Sequence, residues 1–145
     1  IGEGIMRPQI ESQVRNLGIE QYVRFLGTVP NEELPAYLNA ADLYVSTSDS
    51  DGTSTSLLEA FACGLPAVVT DVPANLEWVQ DGVNGGVTPR RNVASIANSI
   101  VKTLNDTKGR QNMGQRNLKL ARKRANWDHN FERLEEIYEA LIERS

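Results

Sequence analysis

The sequence predicts an α/β fold built on a parallel, doubly wound sheet, and three observations carry that expectation. Short β-rich runs alternate with helical patterns through the first ninety residues. Ala67-Val68-Val69-Thr70 is a continuous apolar run of the sort found in strands covered on both faces. The chain has 145 residues, 40% hydrophobic and 23% charged, which is the size and balance of one domain. A chain of this length buries roughly 68–70% of its unfolded surface and needs no covalent staple, in keeping with its single cysteine, Cys63.

Met6, Ile10, Val14 and Leu17 recur at helical spacing, and Gly18 is a fitting stop. Tyr22 to Leu26 reads as a strand with Val23, Phe25 and Leu26 buried, ended by the turn Gly27-Thr28-Val29-Pro30. Asn31 is the expected cap of a short helix carrying Glu32 and Glu33 in its positive first turn, where Pro35 is tolerated. Leu43 to Ser46 is the next strand, and a helix runs from about Thr55 to Cys63 until Gly64 and Pro66 end it. Beyond the Ala67–Thr70 strand come a brief helix from Pro73 to Gln80, a loop, and a last strand from Gly86 to Pro89. Asn92 caps a helix with Val93, Ile96, Ile100, Val101 and Leu104 on one face. A basic helix from about Lys108 to Arg124 follows, and Trp127, Phe131, Leu134, Tyr138 and Leu141 form a final stripe expected to be buried. The core is assigned to 1–107 and the C-terminal helices to 108–145, within a single domain spanning 1–145.

The formal net charge of -4 is the wrong sign for a polyanion partner, which argues against nucleic acid. No apolar run approaches the ~18 residues of a membrane span and no signal-peptide pattern heads the chain, so a cytoplasmic, reducing setting is the expectation. The first residue is Ile1 rather than Met, and Ile1-Gly2-Glu3-Gly4 reads as the last step of a strand and its turn. The chain is therefore expected to be an N-terminally truncated piece of a longer protein.

In doubly wound sheets ligands bind beyond the carboxyl ends of the strands, which directs attention to the loops after Leu26, Ser46 and Thr70. The second, from Thr47 to Ser56, is rich in hydroxyls, holds Gly52, and opens into the helix that contains Glu59. Such a helix start offers backbone N–H groups and a positive dipole end to phosphate or another anion. Glu59 is placed to accept from two neighbouring hydroxyls, as a ribose diol presents them. An ordinary N-cap and turn use the same residue types, and on composition alone the two readings stand level.

The string from Asp51 to Val69 decides between them. Asp51 and Glu59 are acidic with seven residues between, and Glu59-Ala60-Phe61-Ala62-Cys63-Gly64-Leu65-Pro66 leads into the valine-rich strand. This pattern resembles the signature of the large retaining, GT-B-fold glycosyltransferases, the glycosyl transferases group 1 family, with Asp in the first acidic position where Glu is commoner. Ile1-Gly2-Glu3-Gly4, Val23-Arg24-Phe25-Leu26-Gly27, Ala40-Ala41-Asp42-Leu43-Tyr44-Val45-Ser46 and Asn84-Gly85 are family-like pieces in the right order. The resemblance covers essentially the whole chain and corresponds to the C-terminal, Rossmann-like donor-binding half of such an enzyme.

What the resemblance implies is a domain that binds a UDP- or GDP-linked sugar for retaining transfer to a glycan, lipid or small-molecule acceptor. By it Asp51, as the catalytic residue, contacts the donor sugar near the reacting carbon, and Glu59 holds the ribose hydroxyls. Gly52, Thr53, Ser54, Thr55 and Ser56 meet sugar and diphosphate, largely through backbone N–H groups, although Thr53-Ser54 replaces the usual Phe-Gly. Val29 falls in the loop that reads the nucleobase edge. The leaving diphosphate is stabilised by fixed dipoles and cations, with no metal and no cofactor. The family's phosphate-binding Arg and Lys would lie upstream of Ile1, and the acceptor site in an N-terminal half. The chain alone is thus expected to bind donor weakly and to be inactive; the alternative is a non-catalytic module for nucleotide sugars or phosphoryl ligands.

Other residues carry plainer readings. Gly2 and Gly4 give a Gly-x-Gly step, but Arg7 stands where a dinucleotide fingerprint wants its third glycine. His129 reads as a surface or capping residue, Cys63 as a small buried one, and Glu77 as structural. Arg116, Lys119, Arg122, Lys123 and Arg124 read as a solvated helix face, with peripheral association of the full-length enzyme with an anionic membrane as the other reading.

Overall fold

The computed structural model describes residues 1–142. Its contacts divide the chain into two compact units, Ile1–Tyr37 and a second beginning at Leu38.

In the first unit, helix α1 (Arg7–Asn16) starts with Pro8 in its first turn, where the absent N–H costs nothing. Gly18, at φ +65°, turns the chain out of it as expected. A 3-10 turn (Glu20–Tyr22) follows. The strand expected over Tyr22 to Leu26 does not form. Val23 is extended, at φ -120° and ψ 129°, but no ladder partner flanks the segment among the described residues. An extended chain becomes a strand only when its N–H and C=O groups pair with a neighbouring strand; here the Tyr22 and Val23 N–H groups turn back to the Ile19 and Glu20 carbonyls, and just past the segment the Gly2 N–H donates to the Gly27 carbonyl at 2.7 Å. Phe25 and Leu26 are accordingly exposed, not buried. Arg7 pairs with both Glu3 and Glu11 and lies 5.8 Å from the Phe25 ring centroid, so it ties this unit together.

Residues 31–33 form a turn, and helix α2 (Leu34–Asn39) begins later than its expected Asn31 cap. The second unit then holds β1 (Tyr44–Ser46), α3 (Thr55–Ala62), β2 (Ala67–Thr70), α4 (Pro73–Leu76), β3 (Gly85–Thr88), α5 (Val93–Asn105), α6 (Thr107–Arg124) and α7 (Trp127–Ile142). The three strands are parallel in the order β1-β2-β3, with Tyr44 opposite Ala67 and Ala67 opposite Gly85. All four residues of β2 are buried, as its unbroken apolar run requires of a strand covered on both faces.

The core gathers Leu57 and Phe61 from α3, Ala67 and Val69 from β2, Trp78 and Val79 beyond α4, and Ala121 from α6. Close approach favours glycine at several places, among them Gly85, where a Cβ would overlap the Ala67 carbonyl across the sheet. A Cβ at Gly114 would overlap the Gly64 carbonyl where α6 crosses the turn after α3, and one at Gly86 would overlap the Ser99 hydroxyl of α5. Asn92 caps α5 as expected, accepting from the Ser95 N–H at 3.0 Å. Asp106 ends α5 and caps α6 through the Gly109 N–H at 2.8 Å. Asn117 is wholly buried and donates to the carbonyls of Leu65 (2.7 Å) and Asn84 (2.9 Å), locking α6 to the turns before β2 and β3.

Two helical faces differ from expectation. Arg116 donates to the Val83 carbonyl at 2.7 Å, and Arg124 pairs with Glu77 at 3.1 Å while lying 4.3 Å over the Trp78 ring. The basic stretch of α6 is thus partly a set of tertiary ties, and Glu77 has the structural role expected of it. The α7 stripe, expected to be buried, is exposed, with Trp127 76% accessible. Its spacing reports amphipathicity and does not supply the surface that would cover it.

Candidate functional site

The C-terminal ends of the three parallel strands release three loops: Thr47 to Ser54 after β1, Asp71 and Val72 after β2, and Pro89 to Asn92 after β3. The first contains most of the residues singled out from sequence. Asp51, Gly52 and Thr53 are exposed, Ser54 is buried, and Thr55 and Ser56 open α3 on its exposed side. Glu59 lies one turn further on and is also exposed, while Leu57, Ala60 and Phe61 take the buried face of the same helix. The apolar spacing of α3 therefore turns its core face inward and leaves Glu59 open to a ligand, while Asp51 is exposed on the loop before it. Val29 lies in the first unit, half-buried after the Gly27 turn.

The start of α3 lacks the cap that composition made plausible. Ser54 has the extended backbone of an N-cap residue, φ -74° and ψ 106°, but its side chain makes no capping hydrogen bond. Its hydroxyl instead meets that of Ser56 at 3.1 Å, and Ser56 in turn meets the Tyr44 hydroxyl at 2.8 Å. The first-turn N–H groups are thus left to face whatever approaches the loop, and the helix dipole adds a positive potential there. Gly52 has nothing within 4 Å of where a Cβ would stand, so the loop is open at that point.

The root of the loop is held firmly. Thr70, at the end of β2, donates its hydroxyl to the Ser48 carbonyl at 2.6 Å, and the Ser46 and Ser48 hydroxyls meet at 3.2 Å. Arg91 grips the Asp49 carboxylate at 2.8 Å. Arg90 bonds the Asp71 carboxylate through its backbone N–H (3.0 Å) and Nε (3.2 Å) and reaches the Asp49 carbonyl at 3.3 Å. The hydrogen bond and charge of Arg91 hold the Asp49 carboxyl below the ordinary carboxylate range and raise the guanidinium of Arg91 in return. Sequence reasoning missed both arginines because forty-odd residues separate them from Asp49. Adjacent arginines just past Thr88-Pro89, at the end of a parallel strand, were the available signal.

Glu59 borders a second feature, a cavity of about 370 Å³ between α3 and α6 lined also by Arg122 and Asn126. Cys63 on the same helix is half-buried, and burial first, then the Glu59 charge, pushes its thiol up from the ordinary value. His129 is exposed near the start of α7, where its N–H donates to the Asn126 side chain at 2.9 Å. Among the described residues no group of three His, Cys, Asp or Glu side chains is arranged to hold a metal ion, and no helix is long and apolar enough to cross a membrane.

A family model described as "Glycosyl transferases group 1" matches residues 1–120. A D-inositol 3-phosphate glycosyltransferase from Salinispora arenicola is 33% identical over 141 residues, covering 94% of this chain and 31% of its own length. Among solved structures, a sucrose-phosphate synthase from Thermosynechococcus elongatus superposes with a TM-score of 0.91 at 25% identity, covering 98% of this chain and 36% of that one. The Anabaena protein HepE in complex with UDP-glucose superposes with a TM-score of 0.86 at 26% identity, covering 92% of this chain and 36% of that one. The chain thus spans about a third of the length of the proteins it matches.

Proposed function

Because the chain belongs to the glycosyl transferases group 1 family and has the fold of the C-terminal half of a GT-B enzyme, we propose that it binds a nucleotide-diphosphate sugar and presents it for retaining glycosyl transfer. The observation that carries this reading is the open start of α3: a hydroxyl-rich loop at the end of a parallel strand, no side chain capping the helix, and two exposed carboxylates, Asp51 and Glu59, on either side of it.

In this assignment the diphosphate rests on the N–H groups of residues 53–56 and the positive end of α3, which are already oriented and stabilise the charge that grows on the leaving group. Asp51 accepts hydrogen bonds from donor-sugar hydroxyls, and Glu59 accepts from the ribose diol. Gly52 lets the sugar come close to the backbone. UDP is the first nucleotide to try, since HepE has been crystallised with UDP-glucose; GDP is the comparison. The acceptor is bound elsewhere in a longer protein, so the chain alone binds donor and does not turn it over.

Calorimetric titration of the chain with UDP-glucose, UDP, GDP and inorganic phosphate tests the assignment. Saturable binding of a nucleotide that is lost in Asp51→Ala together with Glu59→Ala supports it. Equal binding by wild type and the double variant overturns it, as does sugar transfer by the isolated chain for the clause on inactivity.

A further inference from the structure

The loop after β3 is not part of the donor site as drawn above, yet it reaches across the whole C-terminal edge of the sheet. In the strand order β1-β2-β3, Arg90 first bonds Asp71 at the exit of β2 and then the Asp49 carbonyl at the exit of β1. Arg91 closes on the Asp49 carboxylate through Nε and a terminal nitrogen, both at 2.8 Å. One residue, Ser50, separates that grip from Asp51, the carboxylate assigned to the donor sugar.

Arg91 stands at φ +58°, and among the described residues it is the one non-glycine with a positive φ. A branched-free but bulky side chain is disfavoured there, and such backbone persists where the surroundings impose it, often at functional sites. The ion pair is a weak source of stability, since the Arg91 side chain is 82% exposed and water screens it. A strained backbone holding an exposed pair is poorly explained by folding alone. It is well explained by the need to fix one loop in one place, because a loop ordered before binding spares the ligand that entropy.

Resting on the donor-binding reading, we propose that Arg91, assisted by Arg90, is a positioning residue for the donor loop: it holds Asp49 so that Asp51 and the residues 52–54 are set in the donor-binding geometry before ligand arrives. It touches no substrate. Its influence passes through Asp49, and a charge exchange that rebuilds the pair restores the function.

Two readouts test this. In hydrogen exchange of the ligand-free chain, Arg91→Ala speeds exchange at the amides of residues 49–53 and leaves β2 unchanged. In titration with UDP-glucose, Arg91→Ala weakens affinity about fivefold, the range of one exposed ion pair, with Tm moved by no more than about 1 °C. Arg91→Lys lies between, and Asp49→Arg with Arg91→Asp recovers affinity to within about twofold of wild type. Unchanged exchange and unchanged affinity in Arg91→Ala overturn the proposal; so does a charge-exchanged double variant as weak as Arg91→Ala, which marks Arg91 as a direct ligand contact. If wild type binds no UDP-glucose, the donor reading fails, and the exchange measurement still decides whether Arg91 orders the loop.

Discussion

Asn84 and Asn117 are joined twice: Asn84 Nδ2 donates to Asn117 Oδ1 at 2.7 Å, and Asn117 Nδ2 donates to the Asn84 carbonyl at 2.9 Å. Both are buried, and every polar atom of the pair answers another in α6, in the turn before β2 or in the turn before β3. Breaking one partner of such a network leaves desolvated groups without replacement. Asn117→Ala should therefore destabilise the fold by about 3 kcal/mol, measured by urea titration, and the shape-conserving Asn117→Asp should recover little because it loses both donated bonds.

Gly114→Ala should cost about 2–3 kcal/mol in the same assay. Its Cβ would overlap the Gly64 carbonyl, a backbone atom that cannot swing aside. Gly64 itself is at φ +73° and is equally constrained.

Gly52→Ala should leave stability within about 0.5 kcal/mol of wild type, since nothing stands within 4 Å of the added methyl. The same methyl faces the proposed donor, and UDP-glucose affinity should fall roughly tenfold, or about 1.4 kcal/mol. A loss of Tm in place of affinity would assign Gly52 to folding.

Glu59→Gln should weaken UDP more than 2′-deoxy-UDP, because charge assistance, with hydrogen bonds to a charged group worth about 1.5–3 kcal/mol each, is lost from two bonds where both ribose hydroxyls donate and from one where only the 3′-hydroxyl remains. Parallel calorimetric titrations check this, and equal losses for the two nucleotides would remove Glu59 from the ribose.

Asp49 provides the pH prediction. Its carboxyl is held low by the Arg91 hydrogen bond and charge, so the pair is intact above the unfolded value near 3.8 and is lost as pH falls through the lower folded one. In Arg91→Ala the Asp49 titration, followed by carboxyl NMR, should move up toward 3.8. The sign is opposite to that expected of burial.

The alternation of elements from Leu43 onward was readable without coordinates because each is short, strongly patterned and bounded by local signals. Asn92 capping α5, Gly64 and Pro66 closing α3 and the unbroken apolar run of β2 are properties of a few neighbouring residues, and the structure reproduces them. The Asp51–Glu59 spacing belongs to the same class, since two carboxylates on one loop and the helix it opens are near neighbours by covalent geometry.

What local pattern could not supply was the partner of each surface. Tyr22 to Leu26 has the composition of a strand and no strand beside it, and the α7 stripe has helical spacing and no cover. The grip of Arg91 on Asp49 depends on the exits of β1 and β3 coming together across β2, which is a product of strand order and register. Helix capping and periodicity act over one or two turns, so local pattern was enough for the elements from Leu43 onward and for the family motif, while the uncapped start of α3 came only with the structure, where the Ser54 hydroxyl turns to Ser56. The fixing of the loop that carries Asp51 was decided by tertiary structure, because only folding brings distant charges within hydrogen-bond reach.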